Sequence, residues 1–310
     1  MRVFSKSRQS PTILPFIKNK IKINMKFSIF SAASLLATAA LAGRAWEEHH
    51  GLTFDSFKST FNKLTKDGYR PIYLTGDAAP NGDARYNGIF KTHLFDGIGW
   101  TAQYGYEPGK FGQTVKDLKN KGYFPMHVQG YNVGKDPTAG HQRRFNGIWH
   151  RHIDGRRVPW ELLVDATKNQ VMEAFGQFPP KGYRLVSVSG YGLGSEQRFT
   201  AAFQKTPGPE WKATIGMGRE EFQKRTEELR KQGFFPADLS VYNIKGSVFF
   251  SAIWQREDGK SDKSMAKFGL SAKELAEWFR HWKEKGYEPM TVSGYLENSS
   301  LKYAAIIGKP

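Results

Sequence analysis

The sequence predicts an α+β repeat protein: five strand–helix–strand–strand units closed into a propeller-like ring. Three observations predict it. A Gly followed by Tyr or Phe ends a helical pattern five times, at Gly68-Tyr69, Gly122-Tyr123, Gly182-Tyr183, Gly233-Phe234 and Gly286-Tyr287. A Trp stands 22 residues upstream of the first four marks, at Trp46, Trp100, Trp160 and Trp211, and Met265 takes its place 21 residues before the fifth. Downstream of each mark comes an apolar strand of one shape: YNGIF from Tyr86, FNGIW from Phe145, FTAAF from Phe199, FSAIW from Phe250 and YAAII from Tyr303. Marks spaced 54, 60, 51 and 53 residues apart define an array whose unit is one supersecondary structure.

The elements follow in chain order. Residues 1–24 read as an upstream extension, basic and without an acid. Met25-Lys26, the apolar run Phe27–Ala42 and its small-x-small exit Ala40-Leu41-Ala42 read as a secretory signal, with a mitochondrial transit peptide as the alternative. The repeat domain then occupies residues 43–310. Phe54, Phe57, Phe61 and Leu64 give the first helix its apolar face, and Phe222, Thr226 and Leu229 the fourth. The fifth unit is the clearest. Ser271 and Glu274 have capping-box spacing, and Leu275, Trp278, Phe279 and Trp282 recur at helical spacing. Lys283 and Lys285 suit the negative end of the helix dipole, and Gly286 a left-handed C-terminal cap. Pro289 bars the helix from resuming, as do Pro71, Pro125 and Pro236, although Leu185 stands there in the third unit. Met290–Tyr295 and Leu301–Ile307 alternate as two strands joined by a turn. The array begins on a Trp strand and ends on a hairpin, so the first strand is expected to complete the fifth unit, which would remove an exposed edge; an open array with capped ends fits the same pattern.

Composition narrows the function. There are no cysteines among 310 residues, which excludes disulfides, thiolate nucleophiles and Cys-ligated metals. The formal net charge of +17 falls to +10 without the seven basic residues of positions 1–42. Nucleic-acid binding is not expected, since the basic excess is spread out and no nucleic-acid-binding motif accompanies it. No stretch after the signal is long and apolar enough to span a membrane. GYGLGS at Gly190–Ser195 lacks dinucleotide spacing and reads as a hairpin turn, so no cofactor is expected.

The pairing of Gly182-Tyr183-Arg184 with Val188-Ser189-Gly190-Tyr191 recurs as Gly286-Tyr287-Glu288-Pro289 with Val292-Ser293-Gly294-Tyr295, followed by Tyr303–Ile306. This pattern resembles the tandem repeats of fungal polyglycine hydrolases, known in bacteria as bacterial tandem repeat domain 1, and covers residues 46–310. The resemblance implies a secreted protein of a microbe that faces a host. In those hydrolases the repeats accompany a β-lactamase-like serine hydrolase domain that cleaves Gly–Gly bonds in plant chitinase linkers. No such domain lies within residues 46–310, so its catalysis is not carried over.

Two sets of residues could carry chemistry. Ser264 and Lys267 match the S-x-x-K spacing of a Lys-activated Ser, but on a Trp-strand position rather than at a helix start. Unit two has the longest inter-strand connection, and around it cluster Arg143, Arg144, Arg151, Arg156 and Arg157 with His150 and His152. Guanidinium groups together suit carboxylate, sulfate or phosphate, and two His on one strand face suit a metal or a pH response. A solvated basic hairpin without a ligand fits the same residues. Asn298-Ser299-Ser300 permits an N-glycan at Asn298. The tyrosines and tryptophans of the repeat (Tyr69, Tyr123, Tyr183, Trp149, Trp254) read as core rather than sugar platforms. The expected protein is a monomeric, secreted, non-catalytic domain that recognises an anionic glycan or an acidic protein. Its rival is a serine hydrolase or endopeptidase of the polyglycine hydrolase type, or the leading part of one.

Overall fold

The helix that follows the first strand of each unit is a crossover, and it leaves a gap one strand wide. In unit one, β1 (Trp46–Leu52) leads through α1 (Phe54–Lys66) to β2 (Arg70–Ala78), and β3 (Ala84–Lys91) turns back into the gap. Strand β3 pairs antiparallel with both neighbours, so β1 and β2 run parallel in the order β1-β3-β2. Unit two repeats this with β4 (Ile98–Tyr106), α2 (Pro108–Asn120), β5 (Phe124–Asn132) and β6 (Arg143–His152). Unit three comprises β7 (Trp160–Ala166), α3 (Lys168–Gln177), β8 (Arg184–Leu193) and β9 (Glu196–Gln204). Unit four comprises β10 (Trp211–Met217), α4 (Arg219–Lys231), β11 (Phe234–Ile244) and β12 (Ser247–Arg256). Unit five comprises β13 (Ser264–Leu270), α5 (Ala272–Lys283), β14 (Glu288–Glu297) and β15 (Ser300–Gly308). This computed structural model describes residues 45–92, 97–134, 142–256 and 264–310. The extension and signal expected over 1–42 lie outside the described residues.

The sequence sets the local geometry as expected in most places. Ser271 and Glu274 form a full capping box, as do Thr167 and Gln170. All five marker glycines adopt positive φ, from 77° at Gly286 to 87° at Gly68, a region in which a Cβ is penalised. Unit three differs: α3 stops at Gln177, and Pro179 and Pro180 form a short 3-10 turn before Gly182, because neither proline has an N–H for the α-helical ladder. Phe54, placed on the apolar face of α1 by its spacing, is 46% exposed, and its ring reaches Tyr86 edge-on at 5.8 Å and Tyr104 at 5.9 Å. It is the first helical residue, where half of the surrounding turn is missing.

Two expectations are corrected. The first strand does not complete the fifth unit's sheet: Trp46 pairs with Lys91 of its own unit, and each three-stranded sheet is separate. The crossover explains why, since only the last strand of the same unit reaches the gap that the helix leaves. The fifth equivalent of Trp is Ser264 rather than Met265. Ser264 opposes Gly308 in the register position where Trp46 opposes Lys91 and Trp100 opposes His150. With Ser264 the spacing to Gly286 becomes 22, as in the other four units.

Each core is built by two successive units. Phe57 and Leu64 of α1 meet Tyr131 and Ile148 of unit two, and Phe111 and Leu118 of α2 meet Tyr191 and Trp160 of unit three. Units three and four share Val171, Ala174 and Tyr242, and units four and five share Phe222, Leu229 and Tyr295. The fifth core joins Leu275 and Phe279 of α5 to Tyr73 and Ile89 of unit one. Trp46 packs there as well, edge-on to Phe279 at 6.4 Å, with Lys283 Nζ 4.3 Å from its ring.

Candidate functional site

The strands β2, β5, β8, β11 and β14 form the inner edge of the five sheets, and side chains rather than a ladder join them. Gly76 N–H donates to Gln129 Oε1 at 2.7 Å, Gly130 N–H to Ser189 Oγ at 3.0 Å, and Gly190 N–H to Ser240 Oγ at 3.1 Å. Val241 N–H donates to Ser293 Oγ at 3.2 Å, and Thr75 Oγ1 of unit one donates to the Val292 carbonyl at 2.7 Å. In each case a side chain of one unit takes a backbone group of the unit before it, or of unit five for Thr75. This satisfies edge groups that would otherwise be buried unpaired.

Just before these residues in each inner strand is a second polar position, held by Tyr73, His127, Ser187, Asp238 and Thr291, all buried. Four of them meet. Tyr73 Oη donates to Asp238 Oδ1 at 2.7 Å, although they belong to units one and four. His127 Nε2 bonds the Leu74 carbonyl at 2.9 Å and must therefore carry its proton there. Its Nδ1 is then free to accept from Ser187 Oγ, 3.3 Å away. Burial lowers the His127 pKa to about 4 and raises that of Asp238 to about 6, the latter opposed by hydrogen bonds from Tyr73, Val188 and Leu239. A Ser–His contact of this kind resembles an activated nucleophile, but Ser187 is 1% exposed and no substrate can reach it. The signal that sequence reasoning missed is a pair of buried polar positions, two residues apart, that recurs in all five inner strands.

The predicted residues are distributed differently. Arg143 and Arg144 begin β6, whereas His150, Arg151 and His152 end it, roughly 25 Å along the strand. Arg143 pairs with Asp165 of unit three, and Arg144 with Glu107 at 3.3 Å. Arg151 lies 5.0 Å from the Tyr123 ring centroid, and Arg156 bonds Asp154 at 2.7 Å. Arg157 donates to the Lys119 and Asn120 carbonyls, at the end of α2 where cations are favoured. Arg151, Arg156 and Arg157 are all exposed. His150 is buried and its pKa lowered to about 4, chiefly by burial and then by Arg70 and His152. Both histidines pack on Phe124, at 6.1 and 5.4 Å. Among the described residues no three His, Asp or Glu are grouped to hold a metal.

Ser264 is buried and donates to the Pro236 carbonyl at 2.7 Å, while Lys267 is exposed. A spacing of three on a strand puts them on opposite faces, so Lys267 cannot take the Ser264 proton. Asn298 and Ser299, with φ of 49° and 59°, form the exposed two-residue tip of the β14–β15 hairpin, where a glycan would meet no obstacle. Trp149 and Trp254 are fully buried, whereas Tyr69, Tyr123 and Tyr183 are half-buried.

The ends of the five inner strands also enclose a cavity of about 230 Å³. Asp77 stands on its wall in the place held by Tyr131, Tyr191, Tyr242 and Tyr295 in the other units. Among similar sequences, a family model described as polyglycine hydrolase-like, structural repeat matches residues 43–93, 97–152, 157–206, 208–257 and 261–310, one match for each unit. No curated protein matches the chain.

Proposed function

Since the chain belongs to the polyglycine hydrolase-like structural-repeat family, we propose that it is a secreted, non-catalytic recognition module: five units in a propeller-like ring that bind an anionic glycan or an acidic protein. The ring is supported by the fifth core, which joins α5 to Tyr73, Ile89 and Trp46 of unit one, and by the Lys91–Glu288 ion pair between the same units at 2.7 Å. The observation that carries the binding reading is a contrast in exposure. The candidate nucleophiles Ser187 and Ser264 are buried and hydrogen-bonded, whereas Arg151, Arg156 and Arg157 face solvent at the outer end of unit two. Their local partners are one carboxylate, two backbone carbonyls and one ring, which leaves a net positive surface suited to a polyanion. Arg143 and Arg144 are already matched to Asp165 and Glu107 and contribute less.

Retention on immobilised heparin, a sulfated glycan, tests the assignment. The full chain should elute earlier as salt rises, as screened surface charges require. The triple variant Arg151→Ala, Arg156→Ala, Arg157→Ala should bind about tenfold more weakly at physiological salt, and the pair Arg143→Ala, Arg144→Ala should bind nearly as wild type. Equal retention of the triple variant and wild type would remove the site.

A further inference from the structure

Where a helix meets the Trp strand of a neighbouring unit, a tryptophan packs on an apolar helix residue; at one junction both are missing. Phe61 of α1 lies 6.3 Å from Trp100, Phe175 of α3 6.3 Å from Trp211, and Phe279 of α5 6.4 Å from Trp46. Their ring planes are inclined at 59°, 61° and 67°, so the three pairs share one geometry. Val115 of α2 shares a core with Trp160 in the same way. Each of these helix residues stands seven positions before its marker glycine. In α4 that position holds Thr226, and the Trp position of the strand that follows holds Ser264. Two small side chains therefore meet where two large ones meet elsewhere.

The space they leave persists. A cavity of about 370 Å³ lies between α4, β11 and β13, lined by Thr226 and Ser264 together with Phe222, Phe234 and Phe268. Phe234 is 1% exposed, whereas Tyr69, Tyr123, Tyr183 and Tyr287 at the same repeat position are half-buried, and even its burial does not fill the junction. The two hydroxyls are engaged within the chain: Thr226 Oγ1 donates to the Phe222 carbonyl at 2.8 Å and Ser264 Oγ to the Pro236 carbonyl at 2.7 Å. What faces the space is mainly aromatic, with Phe222 and Phe268 set edge to face at 6.0 Å. Solvent reaches it past Gln223, Glu227 and Arg230, exposed residues of α4 at its rim. Glu227 and Arg230 give that rim one charge of each sign, which selects neither an anion nor a cation.

We propose that the junction of units four and five binds a small, uncharged aromatic molecule of up to indole size, in the place that a tryptophan holds at the other four junctions. Those junctions state the chemistry that fits: a flat ring set edge-on against an apolar helix residue. The volume falls at the low end of the roughly 300–1,000 Å³ of small-molecule pockets, and an apolar cavity emptied of a large side chain stays dry and takes up aromatic molecules. The ligand supplies only the ring. The backbone that carries the tryptophan elsewhere is already present here as β13, paired with β15, so a further polypeptide strand has no place beside it.

The test is ligand-detected NMR titration of the full chain with indole, and with phenol and cyclohexanol as a flat and a puckered ring of equal size. Indole should bind saturably with a Kd of about 1 mM or tighter, and phenol about threefold more tightly than cyclohexanol. Ser264→Trp and Thr226→Phe each restore one member of the missing pair, and each should weaken indole binding at least about tenfold while keeping the wild-type circular dichroism spectrum. If Ser264→Trp does not fold, Thr226→Phe, at a half-buried position, decides alone. Unsaturable or absent indole binding by wild type, undiminished binding by a folded variant, or equal binding of phenol and cyclohexanol would each overturn the proposal. So would tighter binding of N-acetyltryptophanamide than of indole, which would assign the place to the tryptophan of a partner polypeptide. Heparin retention reads the arginines of unit two, so failure here leaves that assignment untouched.

Discussion

Asp165 shows how one residue can serve two units at once. It occupies the bulge of its outer strand, where the other units place Gly51, Gly105, Gly216 and Gly269 at φ between 63° and 77°. Asp165 accepts φ 57°, a conformation that costs a side-chain-bearing residue about 1–2 kcal/mol. In exchange its carboxylate receives Arg143 of unit two and the Tyr191 hydroxyl of its own unit. Asp165→Gly relieves the strain and loses both bonds; Asp165→Ala loses the bonds and keeps the strain. Chemical denaturation should rank wild type above Asp165→Gly, and Asp165→Gly above Asp165→Ala by about 1 kcal/mol. A glycine variant as stable as wild type would mean that the ion pair contributes nothing net. Single residues were unevenly legible in the sequence. The marker glycines announced their left-handed φ, but Ser264 was hidden behind Met265, since chemical likeness to Trp outweighed the constant spacing of 22. The pairing of Arg143 with Asp165 joins two units, and no spacing rule reaches that far.

At the scale of elements, the inner strands need glycine for proximity rather than for backbone freedom. Gly190 carries no positive φ, yet the Tyr242 ring occupies the space of its Cβ. Gly190→Ala should therefore cost about 1–3 kcal/mol through overpacking. Gly112, exposed in α2 with nothing near its Cβ direction, gives the contrast: Gly112→Ala should stabilise by about 0.5–1 kcal/mol. Thermal melts of the two variants should shift in opposite directions, and a downward shift in both would deny the difference. Helices, caps and hairpins were readable because each is written in a local period or a capping residue. Strand order was not. The Trp strand could have paired with the hairpin before or after it, and the choice rests on which strand fills the gap left by the crossover. For the candidate site, the sequence named the exposed arginines of unit two. It did not name the buried Tyr73, His127, Ser187 and Asp238, because these meet only when inner strands of different units come together.

At the scale of the molecule, five cores each bridge two successive units, and the fifth returns to the first. In the ring proposed above every helix would have two sheets to pack on and no unit would serve as a terminal cap, which an open array requires. The seam of units five and one is set apart, because only there does Asp77 interrupt the tyrosine series. Closure is the claim on which both the binding module and the cavity at the inner strand ends depend. The chain has no cysteine, so a double variant Lys91→Cys, Glu288→Cys introduces the only two thiols, 197 positions apart in sequence, at an ion pair between the first and last units. Treatment of the dilute protein with a short bismaleimide should join them within one molecule in high yield, giving a looped species of altered gel mobility. Thiols that stay unlinked, or that link only between molecules as concentration rises, would contradict closure and leave an open array.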